Sequence, residues 1–116
     1  MQKQTNFSEI KNCNKIWAIG SIHSRFESFN SIKKYLLENN FIAIKLHDTN
    51  FREQVDLFHN AECIVGLHGG GFGNIVFCKP GTKVIELRSS YAGPVIENLA
   101  KKNDLNYHSF YSFLQI

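Results

Sequence analysis

An apolar run leads directly into a glycine-rich segment in the stretch Cys63-Ile64-Val65-Gly66-Leu67-His68-Gly69-Gly70-Gly71-Phe72-Gly73-Asn74. Its first five residues form a continuous apolar run, which is typical of a parallel strand buried on both faces. Glycine loses much conformational freedom on folding, so a glycine run indicates that backbone must approach something closely, usually a ligand. The stretch therefore predicts a buried strand, then a ligand-binding loop, then a short helix from Phe72 to about Cys78.

Further strand and helix patterns lie on both sides of this stretch. Three further runs rich in apolar residues predict strands at 15–20, 41–46 and 83–87, and 105–111 is interpreted as a fifth strand at an edge of the sheet. Ser28 is a candidate N-cap for a helix that ends at Asn39-Asn40, where asparagine tolerates the left-handed conformation. Asn50 and Glu53 have the spacing of a capping box for a second helix reaching about Ala61. Gly93-Pro94 predicts the start of a third helix.

Strands that alternate with helices over short connections define the α/β class. We expect a three-layer Rossmann-like domain over 15–116, with about five mostly parallel strands and helices on both faces. Residues 1–14 are interpreted as a flexible tail or the end of a preceding element. Ligands of such sheets bind beyond the carboxyl ends of the strands, which points to the loops after Gly20, Leu67 and Leu87.

Composition excludes several classes of protein. The chain has 116 residues and a net charge of +3, with scattered basic residues, which argues against nucleic-acid binding. No apolar run approaches the roughly 20 residues of a membrane span, and no signal-peptide pattern precedes the domain. We expect a cytoplasmic protein or a domain of a larger one. The three cysteines lack metal-ligand spacing and are interpreted as reduced thiols, mostly buried.

The loop and its surroundings supply the candidate site residues. A loop that ends at a helix N-terminus favours an anion such as a diphosphate, although neither GxGxxG nor the Walker pattern is met. His68 is placed to donate to a diphosphate or sugar oxygen, or else is a structural histidine; a metal site is not indicated. Glu86 is either the acceptor of a ribose diol or a solvated strand end. Asn74 either orients the loop or touches the ligand.

An ordered series of motifs resembles the glycosyltransferase 61 family over about residues 16–111. The series comprises Glu53-Gln54-Val55, Leu57-Phe58, Ala61, Ile64-Val65-Gly66, His68-Gly69, Gly71, Asn74, Phe77, Pro80-Gly81-Thr82 and Val84-Ile85-Glu86-Leu87. The resemblance implies the C-terminal, donor-binding half of a two-domain GT-B glycosyltransferase.

That resemblance also implies a substrate and partners. The loop at His68, Gly69, Gly70 and Gly71 is implied to hold the diphosphate of a nucleotide sugar, commonly a UDP-sugar, and Glu86 to serve its nucleoside side. The donor is a substrate, and the sequence requires no cofactor. A glycan acceptor and an N-terminal acceptor domain or partner chain complete the implied reaction, in surface or capsular polysaccharide synthesis.

The chain departs from the family pattern at three places. Gly70 replaces the usual alanine and Phe72 the usual leucine, while Ser21 stands where an arginine usually follows the first strand. Arg25, four residues later, either substitutes for that arginine or is a surface residue. No catalytic base is identified, and His68 is the best candidate for a catalytic role. The alternatives are a non-catalytic nucleotide-binding module and a flavodoxin-like interaction domain.

Overall fold

The protein forms a five-stranded parallel sheet with helices on both faces, as seen in a computed structural model. The structure describes residues 15–19, 29–67, 70–88 and 93–111. The strands are β1 Lys15–Ile19, β2 Ile42–Lys45, β3 Cys63–Leu67, β4 Lys83–Arg88 and β5 Asn106–Tyr111. The α-helices are α1 Phe29–Glu38, α2 Phe51–Asn60 and α3 Val95–Lys102, and the 3-10 helices are η1 Leu46–Asp48 and η2 Gly70–Phe77.

The strand order β2-β1-β3-β4-β5 sets the position of the site. From β1 the chain moves outward to β2, then crosses back to place β3 on the other side of β1. The order therefore reverses between β1 and β3, the position at which ligands bind in open α/β sheets. The predicted α/β class, the Rossmann-like layering and the edge position of β5 are confirmed.

Two apolar clusters fill the layers on either side of the sheet. The larger joins sheet residues such as Ile16, Ile64 and Val84 to buried residues of α2, η2 and α3. The smaller packs Leu36 of α1 against Trp17 and Val65 on the opposite face. Burial of these side chains, at roughly 25 cal/mol per Å² of apolar surface, is the main force that holds the layers together.

Local signals fix the ends of the helices. The side chain of Asn50 accepts from the backbone N–H of Glu53 at 2.8 Å, and the Glu53 carboxylate accepts from the N–H of Asn50 at 2.9 Å. This capping box confirms the predicted start of α2. Asn40, past the end of α1, has a φ of 68°, the left-handed conformation that was expected there. The predicted cap Ser28 lies outside the described residues.

The structure corrects some of the predicted boundaries. The helix predicted from Phe72 is a 3-10 helix that already begins at Gly70, because Phe72 is fixed against the sheet within its first turn. The short helix η1, after β2, was not predicted, since three residues are too few to show a period. None of the described helices is long and apolar enough to cross a membrane.

Candidate functional site

The candidate site lies at the carboxyl edge of the sheet, where β1 and β3 end side by side. η2 begins at Gly70, shortly after the last residue of β3. Of the residues that the sequence suggested, Gly70, Gly71, Asn74 and Glu86 are described, whereas Ser21, Arg25, His68 and Gly69 lie outside the described residues. The structure therefore describes the strands β1 and β3 and the helix η2, which flank the predicted loop.

The 3-10 helix η2 has three distinct rows of residues, because such a helix repeats every three residues. Phe72, Ile75 and the following Cys78 are buried against the sheet. Asn74 and Phe77 face α2, since Asn74 bonds Gln54 and the Phe77 ring meets Phe51 edge-on at 5.7 Å. The third row, which contains Gly73 and the 40% exposed Val76, faces outward.

The ring of Phe72 lies directly over Gly66 of β3. A Cβ placed on Gly66 would stand 2.8 Å from two atoms of this ring, closer than carbon atoms approach in proteins. The close approach that the glycine run indicated is therefore, at Gly66, an approach by Phe72 and not by a ligand. This contact fixes the start of η2 above the end of β3.

Asn74 is held by the neighbouring helix. Its Nδ2 donates to Oε1 of Gln54 at 2.7 Å, so it links η2 to α2. Of the two roles that the sequence left open for Asn74, orienting the loop and touching a ligand, this bond supports the first. Gln54 belongs to the quoted family motif, but the sequence alone gave it no role.

Glu86 is fully buried inside the larger core, where it pairs with Gly66 across β3 and β4. The interpretation of Glu86 as a solvated strand end is therefore wrong. The hydroxyl of Tyr107, on β5, donates to its Oε1. A guanidinium nitrogen of Arg88 lies 3.8 Å from the same oxygen, which provides a compensating charge for the buried carboxylate.

Arg88 extends this cluster towards the site edge. Its Nη1 donates to the hydroxyl of Tyr107 at 3.4 Å, and its Nη2 donates to the carbonyl oxygen of Gly93 at 3.0 Å. The side chain is 9% exposed and ties the last residue of β4 to the backbone that precedes α3. Sequence reasoning missed Arg88 and Tyr107, because the strand predicted at 83–87 stopped one residue before Arg88, which the structure places on the same face as Glu86.

The two described cysteines, Cys63 and Cys78, have thiols that burial makes harder to ionise. Burial raises the pKa of the Cys78 thiol to about 12 and also raises that of Cys63, where Lys83 opposes the shift. Both described thiols are free and buried, as predicted for structural cysteines. In the described part of the chain, no three His, Cys, Asp or Glu side chains group together in a way that would hold a metal ion.

The fold defines a Rossmann-like α/β domain with its strand-order reversal between β1 and β3. Comparison with known proteins makes this more specific. The sequence pattern of the family described as Glycosyltransferase 61 matches residues 6–85, well over half of the chain. The chain therefore belongs to the glycosyltransferase 61 family, and the resemblance noted in its motifs is confirmed.

Two plant enzymes are among its relatives. The chain is 34% identical over 61 residues to beta-1,2-xylosyltransferase RCN11 of Oryza sativa subsp. japonica, covering 52% of this chain and 11% of that protein. It is 32% identical over 73 residues to the beta-1,2-xylosyltransferase of Arabidopsis thaliana, covering 62% of this chain and 14% of that protein. The chain thus corresponds to a small part of each relative's length.

The region that matches the family covers the glycine loop but stops before Glu86. It begins at residue 6, inside the segment interpreted as a tail, and it ends at Ile85, one residue before the buried Glu86. Tyr107 and Arg88, which contact the Glu86 carboxylate, therefore lie beyond the matched region. The glycine loop, η2 and the Gln54–Asn74 pair all lie within it.

Proposed function

We propose that this chain is the donor-binding domain of a glycosyltransferase that transfers a sugar from a UDP-sugar to a glycan acceptor. Membership of the glycosyltransferase 61 family supports the reaction class. The two plant relatives are named as xylosyltransferases, which makes UDP-xylose a first donor to test. Surface or capsular polysaccharide synthesis is the process that we propose for the reaction.

The observation that carries the proposal is the start of η2 at the strand-order reversal. The reversal lies between β1 and β3, and Gly70 begins η2 just beyond the end of β3. The first N–H groups of a helix have no partner within it, and the helix dipole adds partial positive charge there. A diphosphate at this position receives hydrogen bonds from backbone and a favourable field.

The remaining roles follow from chain position. Ser21 and Arg25 follow β1 and are proposed to approach the phosphates. His68 follows β3, where it is proposed to donate to a diphosphate or sugar oxygen, and it is our candidate for a catalytic role. Glu86 is proposed to serve the nucleoside side, and its burial supports a role in fixing Arg88 and the backbone at Gly93.

A second domain or partner chain is part of the proposal. In GT-B enzymes the active site is a cleft between a donor half and an acceptor half, and this chain corresponds to a small part of its relatives. We propose that the acceptor-binding groups and the catalytic base come from the other half. Binding of a donor without transfer in any pairing would identify a non-catalytic nucleotide-binding module instead.

Calorimetric titration tests the donor site directly. UDP, UDP-xylose and UDP-N-acetylglucosamine are titrated into the wild type, His68→Ala and the control His108→Ala, which removes an exposed imidazole on β5. We expect UDP to bind the wild type, and His68→Ala to weaken binding by about tenfold or more through loss of a charge-assisted hydrogen bond. His108→Ala should leave it unchanged. Absence of binding at millimolar UDP would refute the proposal.

A further inference from the structure

The side-chain amide of Gln54 joins three parts of the carboxyl edge. Its Oε1 accepts from Asn74 of η2 at 2.7 Å. Its Nε2 donates to the carbonyl oxygen of Leu46 at 2.9 Å and, more weakly, to that of Thr49 at 3.4 Å. Since the oxygen meets a donor and the nitrogen meets two acceptors, only one orientation of the Gln54 amide satisfies the site.

Gln54 is itself held in a fixed position. It lies in the first turn of α2, and its backbone N–H bonds the carbonyl oxygen of Asn50, the capping residue. The carbonyl of Leu46 also accepts from the N–H of Thr49 at 3.0 Å and from its hydroxyl at 2.6 Å. The corner after β2 and the start of α2 thus form one hydrogen-bonded unit, from which Gln54 reaches η2.

The first four residues of η2 carry one side chain, that of Phe72. Gly70, Gly71 and Gly73 carry no side chains, and no atom lies within 4 Å of a Cβ placed on Gly73. The ring of Phe72 and, one turn later, the fully buried Ile75 anchor η2 to the sheet. The bond from Asn74 to Gln54 anchors it to α2 as well.

We propose that Gln54 is a positioning residue for the donor site. Through Asn74 it sets the orientation of the first turns of η2, and with them the backbone N–H groups that are assigned to the donor diphosphate. The identity of this ligand rests on the proposed function. The other part of the proposal, that Gln54 orders residues 70–73, does not depend on any ligand.

A set of variants separates positioning from stability. Gln54→Met keeps the length of the side chain and removes both hydrogen-bonding groups, Asn74→Ala removes the partner, and the double variant tests whether the two act together. Thr82→Val is the matched control, because its buried hydroxyl donates to the carbonyl of Lys79 at 2.8 Å in a turn that precedes β4, at the opposite edge of the sheet. It should lose stability without affecting the donor site.

UDP affinity is the first measurement. We expect Gln54→Met to raise the Kd for UDP by about three- to tenfold, as for the loss of one well-placed hydrogen bond. The double variant should bind no more weakly than Asn74→Ala, and Thr82→Val should bind as the wild type does. An unchanged Kd in Gln54→Met, with UDP bound normally by the wild type, would overturn the inference and leave the proposed function standing.

Amide hydrogen exchange without ligand is the second measurement. Exchange at residues 70–73 should be faster in Gln54→Met than in the wild type or Thr82→Val, and unchanged rates would overturn the inference. If Gln54→Met does not fold, Gln54→Glu retains the acceptor for Asn74, lacks the donor to Leu46 and should show the same direction of change. If the wild type does not bind UDP, the proposed function falls, and the exchange rates alone decide whether Gln54 positions η2.

Discussion

The hydroxyl of Tyr107 on the edge strand β5 donates a hydrogen bond to the fully buried carboxylate of Glu86 on β4. The two residues are 21 positions apart in the chain and diagonal neighbours on one face of the sheet. Burying a carboxylate is costly unless it is paired and hydrogen-bonded, so Tyr107 and Arg88 make this position of Glu86 tolerable. The edge strand therefore supports the site edge as well as completing the sheet.

Removal of the tyrosine hydroxyl should lower stability. Tyr107→Phe leaves the buried oxygen of Glu86 without one of its donors, which costs about 1–3 kcal/mol in the free energy of unfolding. Urea denaturation measures the change. The control is Tyr35→Phe, because Tyr35 is 64% exposed and should change stability by no more than about 0.5 kcal/mol. Equal effects of the two variants would contradict the importance of the Glu86 contact.

The same contact predicts a dependence on alkaline pH. Burial, aided by the hydrogen bond to Glu86, raises the pKa of Tyr107 above its ordinary value of 10.0. Below that value the phenol is protonated in both states and its stabilisation is complete. As pH rises, the unfolded chain loses this proton first, so the free energy of unfolding falls until the folded pKa is passed.

Urea unfolding of the wild type and Tyr107→Phe at a series of pH values from about 8 to 11 measures the contribution of the Tyr107 phenol to the free energy of unfolding. Other tyrosines and the lysines titrate in both proteins, so the difference between the two curves isolates Tyr107. We expect the wild type to lose stability more steeply. Parallel curves would show that the Tyr107 phenol has the same pKa in the folded and unfolded states.

Two glycines should respond in opposite ways to alanine. Gly66→Ala places a methyl group against the buried ring of Phe72 and should cost about 1–3 kcal/mol through overpacking. Gly73→Ala meets no atom within 4 Å and its φ is outside the left-handed region, so it should be neutral or stabilising by up to about 1 kcal/mol. Thermal unfolding of the two variants and the wild type measures both changes in stability. A neutral Gly66→Ala would mean that Phe72 does not fix the start of η2.

The buried thiols should be unreactive in the folded protein. Cys63 and Cys78 are 8% and 7% exposed, and burial raises the pKa of both thiols, that of Cys78 to about 12. In a Cys13→Ser background, a disulfide reagent at about pH 8 should modify neither thiol until denaturant is added, because the thiolate is the reactive form. Rapid modification of one thiol in the native state would show that its surroundings open readily.

Local signals in the sequence predicted much of the fold. The capping box of Asn50 and Glu53 and the left-handed Asn40 each depend on residues within a few positions, so their chemistry is visible in the sequence. Apolar runs predicted β1 to β4 for a similar reason, and 105–111 was correctly interpreted as the edge strand β5. The helix η1 was missed because three residues are too few to show a period, and the early start of η2 was missed because it depends on the contact of Phe72 with β3, which forms only when the sheet is assembled.

The site was less predictable because its support comes from distant residues. The burial of Glu86 depends on Tyr107, 21 residues later, and Asn74 depends on Gln54, 20 residues earlier. No periodicity in the sequence connects such pairs. The family motif did include Gln54, Asn74 and Glu86, but only the structure shows that the first two contact each other while the third belongs to a separate buried cluster.

An NMR titration of the isotopically labelled chain with UDP tests whether the loop from His68 into η2 holds the diphosphate of a nucleotide sugar. We expect amide shifts to concentrate in residues 68–74, with further shifts in 20–25 and 86–93. The absence of shifts at millimolar UDP, or shifts confined to residues outside these segments, would contradict this placement of the diphosphate.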